Sequence, residues 1–150
     1  MPEVTVDALV TGTSAAAVFD RLRDFASYPR YTDAVRKVVV TGVDAYTVDS
    51  DWSVNFRNGV LCWSERDRID AAALTIDFAQ SDGDFDRFEG SWRVRQDDES
   101  VTVRFTAAFD LGIPSLAAII DPIATRALTE SITSILRGLL GEHNAPSITS

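Results

Sequence analysis

The stretch IPSLAAIIDPIATRALTESITSILRGLLG, from Ile113 to Gly141, decides the fold. Its apolar residues Ile119, Ile120, Ile123, Ala127, Ile132, Ile135, Leu136 and Leu139 recur near helical spacing. The segment therefore reads as a long helical region, roughly Leu116 to Leu140, closed by Gly141. Pro122 lies inside it and predicts a kink or two consecutive helices. The chain before it reads as short alternating segments. Val4, Val6, Ala8 and Val10 alternate with Thr5, Asp7 and Leu9, a strand that Gly12 ends. Thr13 and Ser14 are good N-caps for a helix over Ala15–Phe25, with Val18, Phe19, Leu22 and Phe25 as its apolar stripe. Pro29 marks a break, and Tyr28 to Ala34 reads as a second short helix or turn.

Six strand-like segments follow: Val35–Thr41, Tyr46–Arg57, Val60–Ile69, Leu74–Phe78, Phe85–Arg95 and Val101–Phe109. Asn58-Gly59 is the strongest hairpin signal between them. Trp52, Val54 and Phe56 share one strand face, as do Phe88, Gly90, Trp92 and Val94. Successive hairpins predict one antiparallel sheet of seven strands. Such a sheet buries its apolar face against one long helix by curling around it, which leaves a small-molecule cavity between them. The expected fold is α+β, a single domain over residues 1–141, with 142–150 as a polar, flexible tail.

The 150 residues suit one domain, and the composition is that of a soluble globular chain. A formal charge of −9 argues against nucleic acid and against strong binding to anionic membrane. No apolar run is long enough to span a bilayer and no signal segment opens the chain, so a cytoplasmic location is expected. The single cysteine excludes an internal disulfide and a Cys-rich zinc site. The single histidine, His143, falls in the tail, away from any Ser-His-Asp or Cys-His arrangement. No metal and no organic cofactor is expected.

The strand Val60–Ile69 carries the sharpest chemical question. Its alternation puts Cys62, Ser64 and Arg66 on one face and Leu61, Trp63, Glu65 and Asp67 on the other. An inward Arg66 would place a permanent cation in the cavity, suited to a carbonyl, a thioester, a carboxylate or a developing enolate. An outward Arg66 would pair with carboxylates across the strands. Trp63 favours the outward reading, because a tryptophan belongs inside.

The order of elements resembles the helix-grip fold of the START-like (SRPBCC) superfamily. That superfamily includes START-related lipid-transfer domains, birch-pollen allergens, coenzyme Q-binding proteins and bacterial polyketide aromatase/cyclases. Ala15-Ala16-Ala17-Val18-Phe19-Asp20 with Phe25-Ala26-Ser27-Tyr28-Pro29-Arg30-Tyr31 is similar to the superfamily's opening. Ser64-Glu65-Arg66 resembles the S-E-R of the aromatase/cyclases. Asp82-Gly83-Asp84-Phe85 with Gly90-Ser91-Trp92 resembles the hairpin shared by aromatase/cyclases and coenzyme Q-binding proteins. The resemblance implies an inward Arg66 that anchors a polyketide or stabilises an enolate, with Ser64 beside it. There are departures. A family cavity tryptophan falls at Cys62, a family proton-donor tyrosine falls near Val35, and a histidine used by another branch has no counterpart.

On this resemblance the expected catalytic set is Arg66, Ser64, Tyr28 and Tyr31. The expected substrate contacts are Trp52, Val54, Phe56, Cys62, Phe88, Trp92, Phe105 and Thr125. The implied function is that of a polyketide cyclase/aromatase of antibiotic biosynthesis. It would bind a poly-β-ketone, held on an acyl carrier protein, and direct aldol cyclisation and dehydration. The alternative is a non-catalytic carrier for a quinone, lipid or isoprenoid. Outward Leu61 and Trp63 would offer a homodimer contact.

Overall fold

The computed structural model describes residues 2–56, 59–141 and 146–149. The elements run β1 (Glu3–Thr11), α1 (Ala15–Arg23), a 3-10 turn (Phe25–Ser27), α2 (Tyr28–Tyr31), β2 (Val35–Gly42), β3 (Thr47–Phe56), β4 (Gly59–Asp70), β5 (Thr75–Gly83), β6 (Arg87–Asp97), β7 (Ser100–Asp110), α3 (Ala117–Leu140) and β8 (Pro146–Thr149). The strands form one antiparallel sheet in the order β2-β3-β4-β5-β6-β7-β1-β8. All seven expected strands are present, as are the two short helices between β1 and β2. Residues 146–149, read from the sequence as part of a tail, pair with β1 at Thr5–Ala8 as an eighth strand. His143 and Asn58 lie outside the described residues. Phe56 of β3 pairs with Gly59 of β4.

Local chemistry accounts for the helices. Ser14 Oγ accepts from the Ala17 N–H and caps α1, and Val18, Phe19, Leu22 and Phe25 are all buried. Pro122 does not divide α3, which is one continuous helix. The proline sits in the second turn, where the helix is not yet buried, so one lost hydrogen bond breaks no packed segment. Ile119 and Ile123, read as core positions, are exposed, and burial begins at Ala124. From there Ala127, Leu128, Ile132, Ile135, Leu136 and Leu139 face the sheet. At the far end Arg21 of α1 donates to the Leu139 carbonyl at 3.1 Å, placing a cation on an unpaired helix-end acceptor.

Gly138 lets α3 approach α2. A Cβ there would collide with the Tyr31 carbonyl and crowd Thr32 Cβ. Alanine is favoured over glycine inside a helix by about 1 kcal/mol, so close packing explains the glycine better than propensity does. This contact fixes α2, which carries Tyr28, against the end of α3.

Candidate functional site

Between the concave face of the sheet and α3 lies a cavity. Tyr28, Trp52, Val54, Trp63, Glu65, Phe78, Phe88, Trp92 and Phe105 line one side, and Leu128, Ser131, Ile132 and Ile135 line the other. It holds about 40 Å³ for water-sized molecules, room for roughly two or three waters. The walls are mostly aromatic. Trp52 and Trp63 are cross-strand partners whose rings stack with centroids 6.0 Å apart. Tyr28 meets Trp52 edge-on at 5.3 Å, and Phe88 meets Trp63 at 5.3 Å.

β4 faces the opposite way from the expected inward Arg66. Trp63, Glu65, Asp67 and Ile69 are buried, while Cys62 and Arg66 are exposed and Ser64 is half-buried. Arg66 has 60% of its side chain exposed and pairs with Asp49 across β3–β4, Nε to Oδ1 at 2.9 Å. Ser64 Oγ donates to Asp51 at 2.6 Å, and the Cys62 thiol contacts Ser53 Oγ at 3.7 Å. These three side chains lie outside the cavity, so the cavity roles expected for them are corrected. The reason is physical. Trp63 and Ile69 share a parity and gain most from burial, and the opposite parity carries both Arg66 and Arg68, which cannot shed their charge. The route to a homodimer contact through an exposed Trp63 closes with this correction, since Trp63 is inside and Leu61 packs against the core.

The other expected residues divide. Trp52, Val54, Phe88, Trp92 and Phe105 line the cavity. Phe56 packs against the core without reaching the lining, and Thr125 is a half-buried residue of α3 outside it. Tyr31 is 40% exposed, beneath the Arg21 guanidinium at 4.7 Å. Tyr28 does reach the cavity, but its hydroxyl donates to the Leu22 carbonyl at 2.6 Å. Burial raises the Tyr28 pKa well above its ordinary value, with Glu65, Asp67 and Asp24 adding to the rise. It is a neutral wall residue whose proton is already engaged.

The polar floor is Glu65, backed by Asp67, a carboxyl pair that the sequence reading did not select. Glu65 is 5% exposed and Asp67 is 0% exposed. Two residues apart on β4, they face the same way and lie within hydrogen-bonding reach of each other. The Trp63 indole N–H donates to Glu65 Oε1 at 2.7 Å. Ser50 Oγ donates to Asp67 Oδ2 at 2.6 Å and accepts from the Trp52 indole N–H at 2.8 Å. Asp67 Oδ1 has no further donor in the structure. The Trp52 and Trp63 indoles, Ser50 and Tyr28 are all committed as donors, and among the described residues no cation lines the space. Two ionised carboxylates in contact there are strongly disfavoured, which favours one proton shared between them. Burial is the first cause raising Glu65 well above the usual carboxylate range, and contact with Asp67 adds to it. Burial raises Asp67 as well, against hydrogen bonds from Glu65 and Ser50 that hold it down. A shift in the β4–β5 register falls between Ser64 and Glu65, a bulge of the kind that re-aims side chains at sites.

The raised pKa gives a signed prediction. The unfolded chain releases the Glu65 proton near the ordinary value of about 4.3, while the folded chain keeps it to higher pH. The unfolded state therefore binds fewer protons in that window, and stability is full below it and falls as pH rises toward the folded pKa. Denaturant midpoints measured across pH should show this fall in the wild type and a smaller fall in Glu65→Gln. Equal slopes would contradict the assignment. Arg66→Ala, by contrast, should leave both melting temperature and activity near wild type. A folded Arg66→Ala protein with a large activity loss would restore a role for the arginine.

Among the described residues no group of three or more His, Cys, Asp or Glu side chains is placed to hold a metal ion, and no helix is long and apolar enough to cross a membrane. The sequence matches the family model described as polyketide cyclase/dehydrase and lipid transport over residues 11–135. The chain belongs to this family. No curated protein matches it. Among solved structures, TTHA0849 from Thermus thermophilus is 25% identical with a TM-score of 0.85, the match covering 92% of this chain and 94% of that one. The aromatase/cyclase Zhui from Streptomyces sp. R1128 is 18% identical with a TM-score of 0.76, covering 94% and 93%. The di-domain aromatase/cyclase BexL of the BE-7585A biosynthetic pathway is 26% identical with a TM-score of 0.68, covering 96% of this chain and 46% of that one.

Proposed function

We propose that the protein is a cyclase of the polyketide aromatase type, with Glu65 and Asp67 as its proton-transfer pair. The observation that carries the reading is a buried carboxyl pair within hydrogen-bonding reach, of which Glu65 faces an aromatic cavity. The shared proton passes to Asp67, and the freed Glu65 carboxylate takes a proton from the carbon between two carbonyls of a poly-β-ketone. The resulting enolate carbon attacks a second carbonyl carbon and forms the ring bond. The new alkoxide takes the proton back. Dehydration repeats the cycle: the pair removes a second α-hydrogen, the hydroxyl leaves, and the returned proton makes it water. The pair begins and ends with one proton. Stacked Trp52 and Trp63 offer a flat wall for the ring that forms, and burial raises the proton affinity of the pair, which favours proton transfer from carbon.

Family membership and the aromatase/cyclases among similar structures support this reading. The substrate would arrive on an acyl carrier protein in the cytoplasm. A poly-β-ketone exceeds the present cavity, so α3 and the sheet must separate to admit it. The first turns of α3, where Ile119 and Ile123 are exposed, are the least anchored part of that helix. Lipid transport, also within the family description, is the second reading. Product analysis of a reconstituted minimal polyketide synthase with its acyl carrier protein separates the two. A new cyclised aromatic product on adding the protein is expected. Unchanged products, together with lipid or quinone released from the purified protein, would establish the carrier instead.

A further inference from the structure

We infer that the cavity selects uncharged, oxygen-bearing hydrophobic molecules and rejects organic anions, because its polar floor is Glu65 backed by the buried Asp67 and no cation among the described residues faces it. The inference rests on the cavity being the ligand site of the proposed function, and it names the ligand class by charge. Trp63 and Ser50 already donate to the two carboxyls, and Tyr28 donates to Leu22. The Glu65 carboxyl is therefore left to meet a ligand on the sheet side beside the Trp92 indole, while Ser131, opposite on α3, donates to the Asn55 carbonyl at 3.3 Å. Sharing one proton with Asp67 behind it, the Glu65 carboxyl can give a hydrogen bond to a carbonyl or accept one from a hydroxyl. A carboxylate or phosphate would meet a net negative charge with no compensating guanidinium. The arginines in ion pairs are at least half exposed, and Arg21 is engaged with Leu139 and Tyr31. A carboxylate ligand must either bear that repulsion or take up a proton to enter. At a separation near 5 Å the repulsion alone corresponds to a loss of roughly 100-fold in affinity. An ammonium would be drawn to the charge, yet it would have to leave water for an aromatic chamber that already holds a proton.

The test uses one-ring probes of matched shape: acetophenone, 1-phenylethanol, benzoate and benzylamine. Binding is read by calorimetry and by quenching of the tryptophans at the cavity wall. Both wild type and Leu128→Ala are used, since the second removes side-chain volume from the α3 wall. Acetophenone and 1-phenylethanol are expected to bind, with benzoate roughly 100-fold weaker at neutral pH. The benzoate penalty should shrink in the double variant Glu65→Gln, Asp67→Asn, which removes the charge. Benzoate within tenfold of acetophenone, benzylamine as the tightest probe, or no binding of any probe to either protein would overturn the inference. Neutral-selective binding combined with a failed cyclisation assay would refute the enzymatic reading alone.

Discussion

Glu65→Gln is expected to lower cyclisation turnover by about 10²- to 10⁴-fold while leaving the protein folded. Glutamine keeps the shape of the protonated acid. Its amide oxygen can accept from the Trp63 indole as Glu65 Oε1 does, and its NH₂ can donate to Asp67 in place of the carboxyl proton. The network survives and the movable proton is lost. A structural role for Glu65 predicts something different, namely near-normal turnover once folding is shown by circular dichroism. Asp67→Asn provides the control. There the asparagine oxygen can still accept from Ser50 and its NH₂ can donate to Glu65, which then ionises more readily. A base remains in that variant, so activity should persist with the acid limb of its pH profile moved to lower pH. Full turnover in Glu65→Gln would remove the carboxyl pair from the chemistry.

Gly83→Ala is expected to cost about 3 kcal/mol or more of stability, a fall in melting temperature of roughly 6–12 °C. Gly83 sits at the end of β5 opposite Trp63, with φ at 151°. A Cβ there would collide with the Cα and Cβ of Trp63 and crowd the Cys62 carbonyl. Those are backbone and near-backbone atoms, so no flexible side chain can yield. The damage reaches the site because Trp63 carries the indole that holds Glu65. Thermal unfolding of Gly83→Ala should therefore show the stability loss together with altered tryptophan fluorescence. An unchanged melting temperature would mean that β4 and β5 approach less closely than described.

The fold was legible because its signals were long and mutually consistent. The Ile113–Gly141 helix, the capped Ala15 helix and seven alternating segments left one architecture that buries both apolar faces. Within the site, the shared faces of Trp52 with Val54 and of Phe88 with Trp92 were readable from alternation. The carboxyl pair was readable too, in Trp63 and Ile69. Both are large and apolar, and both share a parity with Glu65 and Asp67. A carboxyl enters an apolar cavity by taking a proton, whereas Arg66 and Arg68 on the other parity have no such escape. The Ser64-Glu65-Arg66 resemblance pulled the reading the other way, because a short motif fixes neighbours in sequence and leaves the strand face open. Two other features were beyond the sequence. Tyr28 looked like a proton donor, and only its packing shows the hydroxyl bound to Leu22. Ser50 gave no signal, since its importance comes from lying across β3–β4 beside Asp67.

The central claim is that Glu65 and Asp67 share one proton inside the cavity at neutral pH. Infrared difference spectroscopy of wild type against Glu65→Gln measures it most directly, through the carbonyl stretch of a protonated carboxylic acid. The account predicts one such band at neutral pH in the wild type, at a position typical of a buried acid, and its loss in Glu65→Gln. A wild-type spectrum in which every carboxyl group is ionised at neutral pH would contradict it.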